Sequence, residues 1–167
     1  MAASGIRTRV RQFVSHVTAR VSPDEERQAR ALLPAAAYEL FAGMPTADRR
    51  HALDVLAKLR RSGVTDADVL AAALLHDAAK GTRLRLWHRV AVVLVEAIAP
   101  GRVGRLASAD PKSWRYPFHL HLHHAELSAR AALGAGCSRR MAAFIHGTPA
   151  EPDAQLAAAL RAADAAS

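Results

Sequence analysis

The run Val69-Leu70-Ala71-Ala72-Ala73-Leu74-Leu75, followed at once by His76 and Asp77, constrains the fold more than any other feature of the chain. Apolar residues with no polar break suit a helix that is buried almost all round. Such a helix delivers the imidazole and the carboxylate at its end into a crowded interior. Burying groups of this kind costs several kcal/mol unless they are paired or bound to a metal. A metal site is the simplest explanation for their position.

The rest of the chain predicts an all-α protein. Hydrophobic residues make up 51%, much of it Ala and Leu, against only 5% Phe, Trp and Tyr, a balance that favours helices over strands. A length of 167 residues suits one core. Cys137 is the single cysteine, which excludes an internal disulfide and fits a reducing, cytoplasmic setting. Arg7, Arg9 and Arg11 run into Phe13 and Val14 without the uninterrupted apolar core of a signal peptide. The longest apolar run, Val90 to Ala99, carries Glu96 and falls short of the roughly 20 residues that a span needs, so no integral membrane segment is expected. The net charge of +8 is mostly Arg, and two readings compete for it: a surface for phosphates, nucleic acid or anionic lipid, or a genome that writes Arg for Lys.

Taken in order, residues 6–20 read as a basic amphipathic helix with Ile6, Val10, Phe13, Val14 and Val17 on one stripe. Ser22-Pro23-Asp24-Glu25 is a capping box that opens a helix, Pro34 interrupts it, and Gly43 and Pro45 stop its second piece. Thr46 is expected to cap the next helix, which carries His51 beside the stripe Ala52, Val55, Leu56 and Leu59. Thr65-Asp66-Ala67-Asp68 reads as a second capping box, opening the helix that ends in His76-Asp77 and closes at Gly81. A helix is predicted over 83–99, and an irregular connection over 100–117 that contains Trp114 and Tyr116. Helices follow at about His119–Leu133, from a Ser138 cap to Ile145, and at about Pro152–Ala166. Leu156, Leu160 and Asp164 are spaced to place Asp164 on the buried stripe of the last helix.

Leu74-Leu75-His76-Asp77-Ala78-Ala79-Lys80 resembles the His-Asp-x-x-Lys signature of the HD-domain superfamily, and the chain is similar to small bacterial members of it. These are all-helical, metal-dependent phosphohydrolases and phosphodiesterases. The resemblance spans roughly residues 46–166 and implies an HD domain over 46–167; residues 1–45 carry no motif and are read separately as a helical extension packed on it. It implies metal ligands at His51, His76, Asp77 and Asp164, the last in Leu160-Arg161-Ala162-Ala163-Asp164. It assigns catalysis to Asp77 and Lys80. His124, in His124-Ala125-Glu126-Leu127-Ser128-Ala129, looks like the first ligand of a second ion. The family's following His-His pair is reduced here to Phe144-Ile145-His146-Gly147-Thr148, which leaves His146 as the counterpart. One ion is therefore expected and two are possible. A His and Asp ligand set suits Mn, Fe, Zn, Co or Ni.

The implied activity is hydrolysis of a nucleotide or another small phosphate ester. Lys80, Arg50 and Arg115 are candidate phosphate contacts, with Arg49 a further one. His119 and His123 share a helix face and are read as ordinary surface histidines, as are His16 and His88. Two other readings stand beside the enzyme. One is a non-catalytic HD-fold module that senses a ligand with a structural metal or none. The other is an interaction protein that uses residues 6–20 and 83–105 on nucleic acid or an anionic surface.

Overall fold

The computed structural model describes residues 20–81, Val95 and 103–167, and within them the protein is all-α. Its helices are α1 (Pro23–Leu32), α2 (Ala35–Ala42), α3 (Thr46–Arg61), α4 (Ala67–Leu75), α5 (Val103–Leu106), α6 (Tyr116–Gly134), α7 (Arg139–His146) and α8 (Ala154–Ala165). Short 3-10 turns at Ala78–Lys80 and Glu151–Asp153 follow α4 and precede α8. The basic helix expected over 6–20 lies outside the described residues except for Arg20. So does the helix expected over 83–99, of which Val95 alone is described and is helical.

The apolar run is the axis of the fold. Every residue from Val69 to Leu75 is buried, and α4 packs against α1, α2, α3, α6, α7 and α8. Full burial of each leucine in this run is worth about 1.5–3 kcal/mol. The cluster around it takes Ala29 and Leu33 from α1 and its end, Ala37, Tyr38 and Phe41 from α2, and Val55, Leu56 and Leu59 from α3. Residues on α1 and α2 thus share one core with the rest. A smaller cluster joins Val103 to Phe118. Cys137 is buried in the main cluster, as a small core residue should be.

The helix ends follow local chemistry, with three shifts from the sequence reading. Ser22 and Glu25 form the expected capping box. Thr46 does not cap α3: Pro45 is the capping residue, and Thr46 already lies in the first turn. Proline's fixed φ supplies the entry conformation without a side-chain hydrogen bond. Asp66, rather than Thr65, caps α4 by accepting the Val69 N–H at 3.1 Å. The connection read as irregular to residue 117 contains α5 and gives way to α6 at Tyr116, where Pro117 fits the first helical turn. No helix among the described residues is long and apolar enough to cross a membrane.

Candidate metal centre

Three helices converge where α4 stops. His76 is the C-terminal cap of α4, and Asp77 leads into the 3-10 turn that holds Lys80. Antiparallel α3 brings His51 alongside, and the last turn of α8 brings Asp164. One nitrogen each from His51 and His76 and one oxygen from Asp77 lie within 4.8 Å of one another, close enough to hold a metal ion. The His51 and His76 rings are 5.3 Å apart and tilted by 59°.

Asp164 completes the rim. Its Oδ1 is 2.9 Å from His51 Nε2 and 3.4 Å from His76 Nε2. The expected position on a buried stripe is corrected here, because the Asp164 side chain is 47% exposed while Leu160 and Ala163 are buried. At 3.6 residues per turn, a residue eight places after Leu156 has rotated by about 80° from it, which carries Asp164 from the core face to the edge.

The hydrogen bonding of the histidines shows which atoms are free. His76 Nδ1 lies 3.0 Å from the Ala73 carbonyl, and His124 Nδ1 lies 2.7 Å from the His121 carbonyl. A carbonyl only accepts, so Nδ1 carries the proton in each ring and Nε2 is turned inward with its lone pair. A backbone acceptor of this kind fixes the tautomer and orientation of metal-binding imidazoles. His76 Nε2 and Asp77 Oδ1 are buried and make no hydrogen bond. Each would cost about 1–3 kcal/mol left without a partner. Two such atoms, one a nitrogen and one a carboxylate oxygen in the same pocket, fit a cation between them.

The charges lead the same way. Asp77 is buried, which by itself raises its pKa, yet the charges of His76 and Lys80 hold it below the ordinary carboxylate value. Lys80 Nζ is 2.6 Å from Asp77 Oδ2. Asp164 is held far below the ordinary value by its contacts with His51 and His76. Burial opposes a charge on His76, but Asp164 and Asp77 outweigh it and its pKa is raised. The two carboxylates thus favour a positive charge at this edge of the ring, and a metal ion would answer the same demand. His124 behaves oppositely: burial and the Lys80 charge lower its pKa, so it is neutral at pH 7. Its Nε2 is 3.7 Å from Asp77 Oδ1, the oxygen that Lys80 does not take.

Other expected site residues lie elsewhere. His146 ends α7 in the open, with Nδ1 3.1 Å from Thr148 Oγ1. It is not among the residues brought together at the end of α4. Arg50 is engaged by Glu25 at 2.6 Å and Asp54 at 3.0 Å, and Arg49 by Glu26 at 3.1 Å, so both guanidiniums tie α3 within the fold. Arg115 donates to the carbonyls of Leu106 and Arg105 and closes the connection before α6.

Ser128 lies in the segment that follows His124 and is given no role by the sequence, yet it supports the centre. It is fully buried on α6, one turn after His124, and its Oγ accepts the Ala79 N–H at 3.0 Å. Ala79 stands between Asp77 and Lys80, so α6 braces the turn that presents both. A serine spaced four residues after a candidate ligand was the only sequence signal. Comparison with protein-family models, curated proteins and solved structures finds no match.

Proposed function

We propose that the protein is a metal-dependent phosphohydrolase that acts on a nucleotide or another small phosphate ester. The observation that carries this reading is the pair of orphaned buried atoms, His76 Nε2 and Asp77 Oδ1, inside a ring completed by His51 and Asp164. The likeness of residues 46–166 to the HD-domain superfamily supports the reaction class.

His51 and His76 offer nitrogen lone pairs and Asp77 and Asp164 offer oxygens, a donor set for Mn, Fe, Zn, Co or Ni. A divalent ion supplies Lewis acidity there, making water acidic near neutral pH and polarising a phosphoryl oxygen. The protein's own groups do the rest. Two carboxylates and the Lys80 ammonium sum to −1, so with a divalent ion held there the centre would carry +1 and favour a phosphate anion. Lys80 stands one turn after His76, where its ammonium can hold a phosphoryl oxygen. His124, neutral and facing the same carboxylate, can take up a proton or serve as a ligand to a second ion.

A non-catalytic HD-fold module is the second reading. It is favoured by the Lys80–Asp77 contact at 2.6 Å, which balances charge within the fold itself, and by the His51–Asp164 contact at 2.9 Å, which gives both side chains a partner.

Elemental analysis of untagged protein, wild type beside Asp77→Ala, tests the metal. The expected result is loss of one equivalent of transition metal in the variant. Release of phosphate from a panel of nucleotides and phosphate esters, dependent on metal and abolished in Asp77→Ala, tests the reaction. Metal uptake without any turnover leaves the sensing module. Equal metal in both proteins refutes the centre itself.

A further inference from the structure

A second set of histidines lies on another face of α6. Tyr116, His119, His123 and Glu126 recur at three- and four-residue intervals along this helix and so form one stripe. The rings of His119 and His123 are only 4.4 Å apart, centre to centre, and tilted by 34°. Tyr116 stacks on His119 at 5.8 Å and limits the swing of that ring. Beyond His123, the Oε2 of Glu126 faces His123 Nδ1 at 3.9 Å, while its Oε1 accepts from Arg130 at 2.7 Å. His124, the neighbour of His123, turns about 100° away and faces Asp77 instead.

We propose that His119 and His123 form a separate surface site that chelates one borderline divalent ion, such as Zn, Ni or Cu, independently of the centre at the end of α4. Imidazoles one helical turn apart can direct a nitrogen each to a common point with only side-chain adjustment. Imidazole is the ligand that these ions prefer among side chains that carry no charge. Glu126 fits the role of an outer carboxylate. At 3.9 Å from His123 Nδ1 it lies beyond hydrogen-bond reach but sets a negative charge beside the ring, and Arg130 holds the carboxylate in place. A carboxylate charge near an imidazole favours a cation on the ring. The site stands on a rigid helix and is open to solvent at His123, so the ion keeps water or an incoming ligand on its outer side.

A count of two ions per chain then does not imply a dinuclear centre, because the second can reside on α6. The test uses untagged full-length protein, stripped with EDTA, dialysed and titrated with Zn or Ni, with bound metal measured by equilibrium dialysis and elemental analysis. Wild type is expected to bind two equivalents. His119→Ala/His123→Ala should lose one and keep the one that depends on Asp77, and Asp77→Ala should show the reverse loss. Glu126→Gln removes only a nearby exposed charge and should weaken the α6 equivalent by roughly 2- to 5-fold. His123 is exposed and His119 only partly buried, so circular dichroism should show an unchanged helical fold. A double-histidine variant that binds as much metal as wild type overturns the proposal. So does loss of both equivalents together. Neither result depends on whether phosphate esters are hydrolysed.

Discussion

Ser128→Ala tests whether the α6 brace matters to the centre. The serine is fully buried, and its hydroxyl takes the Ala79 N–H at 3.0 Å in the turn between Asp77 and Lys80. The change removes one oxygen, so packing is nearly kept and the hydrogen bond is the main loss. A hydrogen bond of this type contributes about 1 kcal/mol net, rising towards about 3 kcal/mol where the abandoned donor cannot reach water. Ala79 is partly exposed, which places the cost near the lower figure. For a chain of this size about 1–1.5 kcal/mol lowers Tm by roughly 2–6 °C.

Stability alone does not separate a brace for the site from an ordinary buried hydrogen bond, so metal affinity is the second readout. If the turn loosens in the variant, binding must reorder it, and up to about 1.4 kcal/mol of that cost appears as a roughly 10-fold weaker Kd. We expect the Tm loss measured in EDTA to be accompanied by an approximately 5- to 10-fold loss of affinity for Zn or Mn, close to the range seen for outer-shell partners. Scanning calorimetry and competitive chelator titration measure the two. An unchanged Tm and unchanged affinity would refute the whole argument. A lowered Tm with wild-type affinity would show that the turn keeps its shape without Ser128.

Three further outcomes follow from the structure. With metal chelated, Asp77 and Asp164 have carboxyls held below the ordinary 3.8, so their stabilisation is full above that pH and is lost as pH falls through their folded values. His76, held above the ordinary 6.5, adds stability below pH 6.5 that is lost as pH rises through its folded value. Urea unfolding in EDTA should show Asp164→Asn losing part of the acid-side dependence, and an unchanged acid limb would count against these contacts. Gly147 ends α7 at φ +84 with open space where a side-chain methyl would stand, so Gly147→Ala should cost only the left-handed backbone strain of about 1–2 kcal/mol, read as a Tm loss of roughly 2–8 °C. Cys137 is buried, and its thiol is pushed up by burial and by Asp68, so native protein should react slowly with a thiol reagent and quickly once unfolded. Fast reaction in the folded state would contradict its place in the core.

The features legible in the sequence were those set by short-range pattern. The apolar run gave α4 its central place because nothing but full burial suits residues 69–75. Ser22, Asp66 and Ser138 each cap a helix because their short polar side chains reach back to a backbone N–H, although at Asp66 the sequence pattern pointed one residue early. His51, His76 and Asp77 meet because a helix, a short loop and a helix return the chain on itself. What depended on the third dimension was not legible. Arg140 sits among Asp153, Asp66 and Asp68 at 2.8–3.2 Å and fastens the start of α7 to the start of α4, although these residues are far apart in sequence. Arg50 looked available for phosphate because its partner Glu25 lies on another helix. Asp164 looked buried because spacing gives direction around a helix but not where the neighbouring helices end.

The division of labour at Asp77 makes the role of Lys80 separable from that of the ligands. Lys80 Nζ takes Oδ2 at 2.6 Å, whereas Oδ1 makes no hydrogen bond and faces His124. Asp77 would therefore have one oxygen to offer an ion while the ammonium keeps the other. Replacing Lys80 by Met keeps the alkyl stem, which is mostly buried, and removes only the charge. An ion held by Asp77 would then lose a like charge nearby, so metal affinity should hold or increase. If Lys80 also holds a phosphoryl oxygen, the same variant should lose phosphate release while retaining its metal, with the loss appearing in KM when the contact acts in binding and in kcat when it acts at the transition state. Loss of metal together with activity would mean that Lys80 serves to orient Asp77, and the assignment of a phosphate contact would fall.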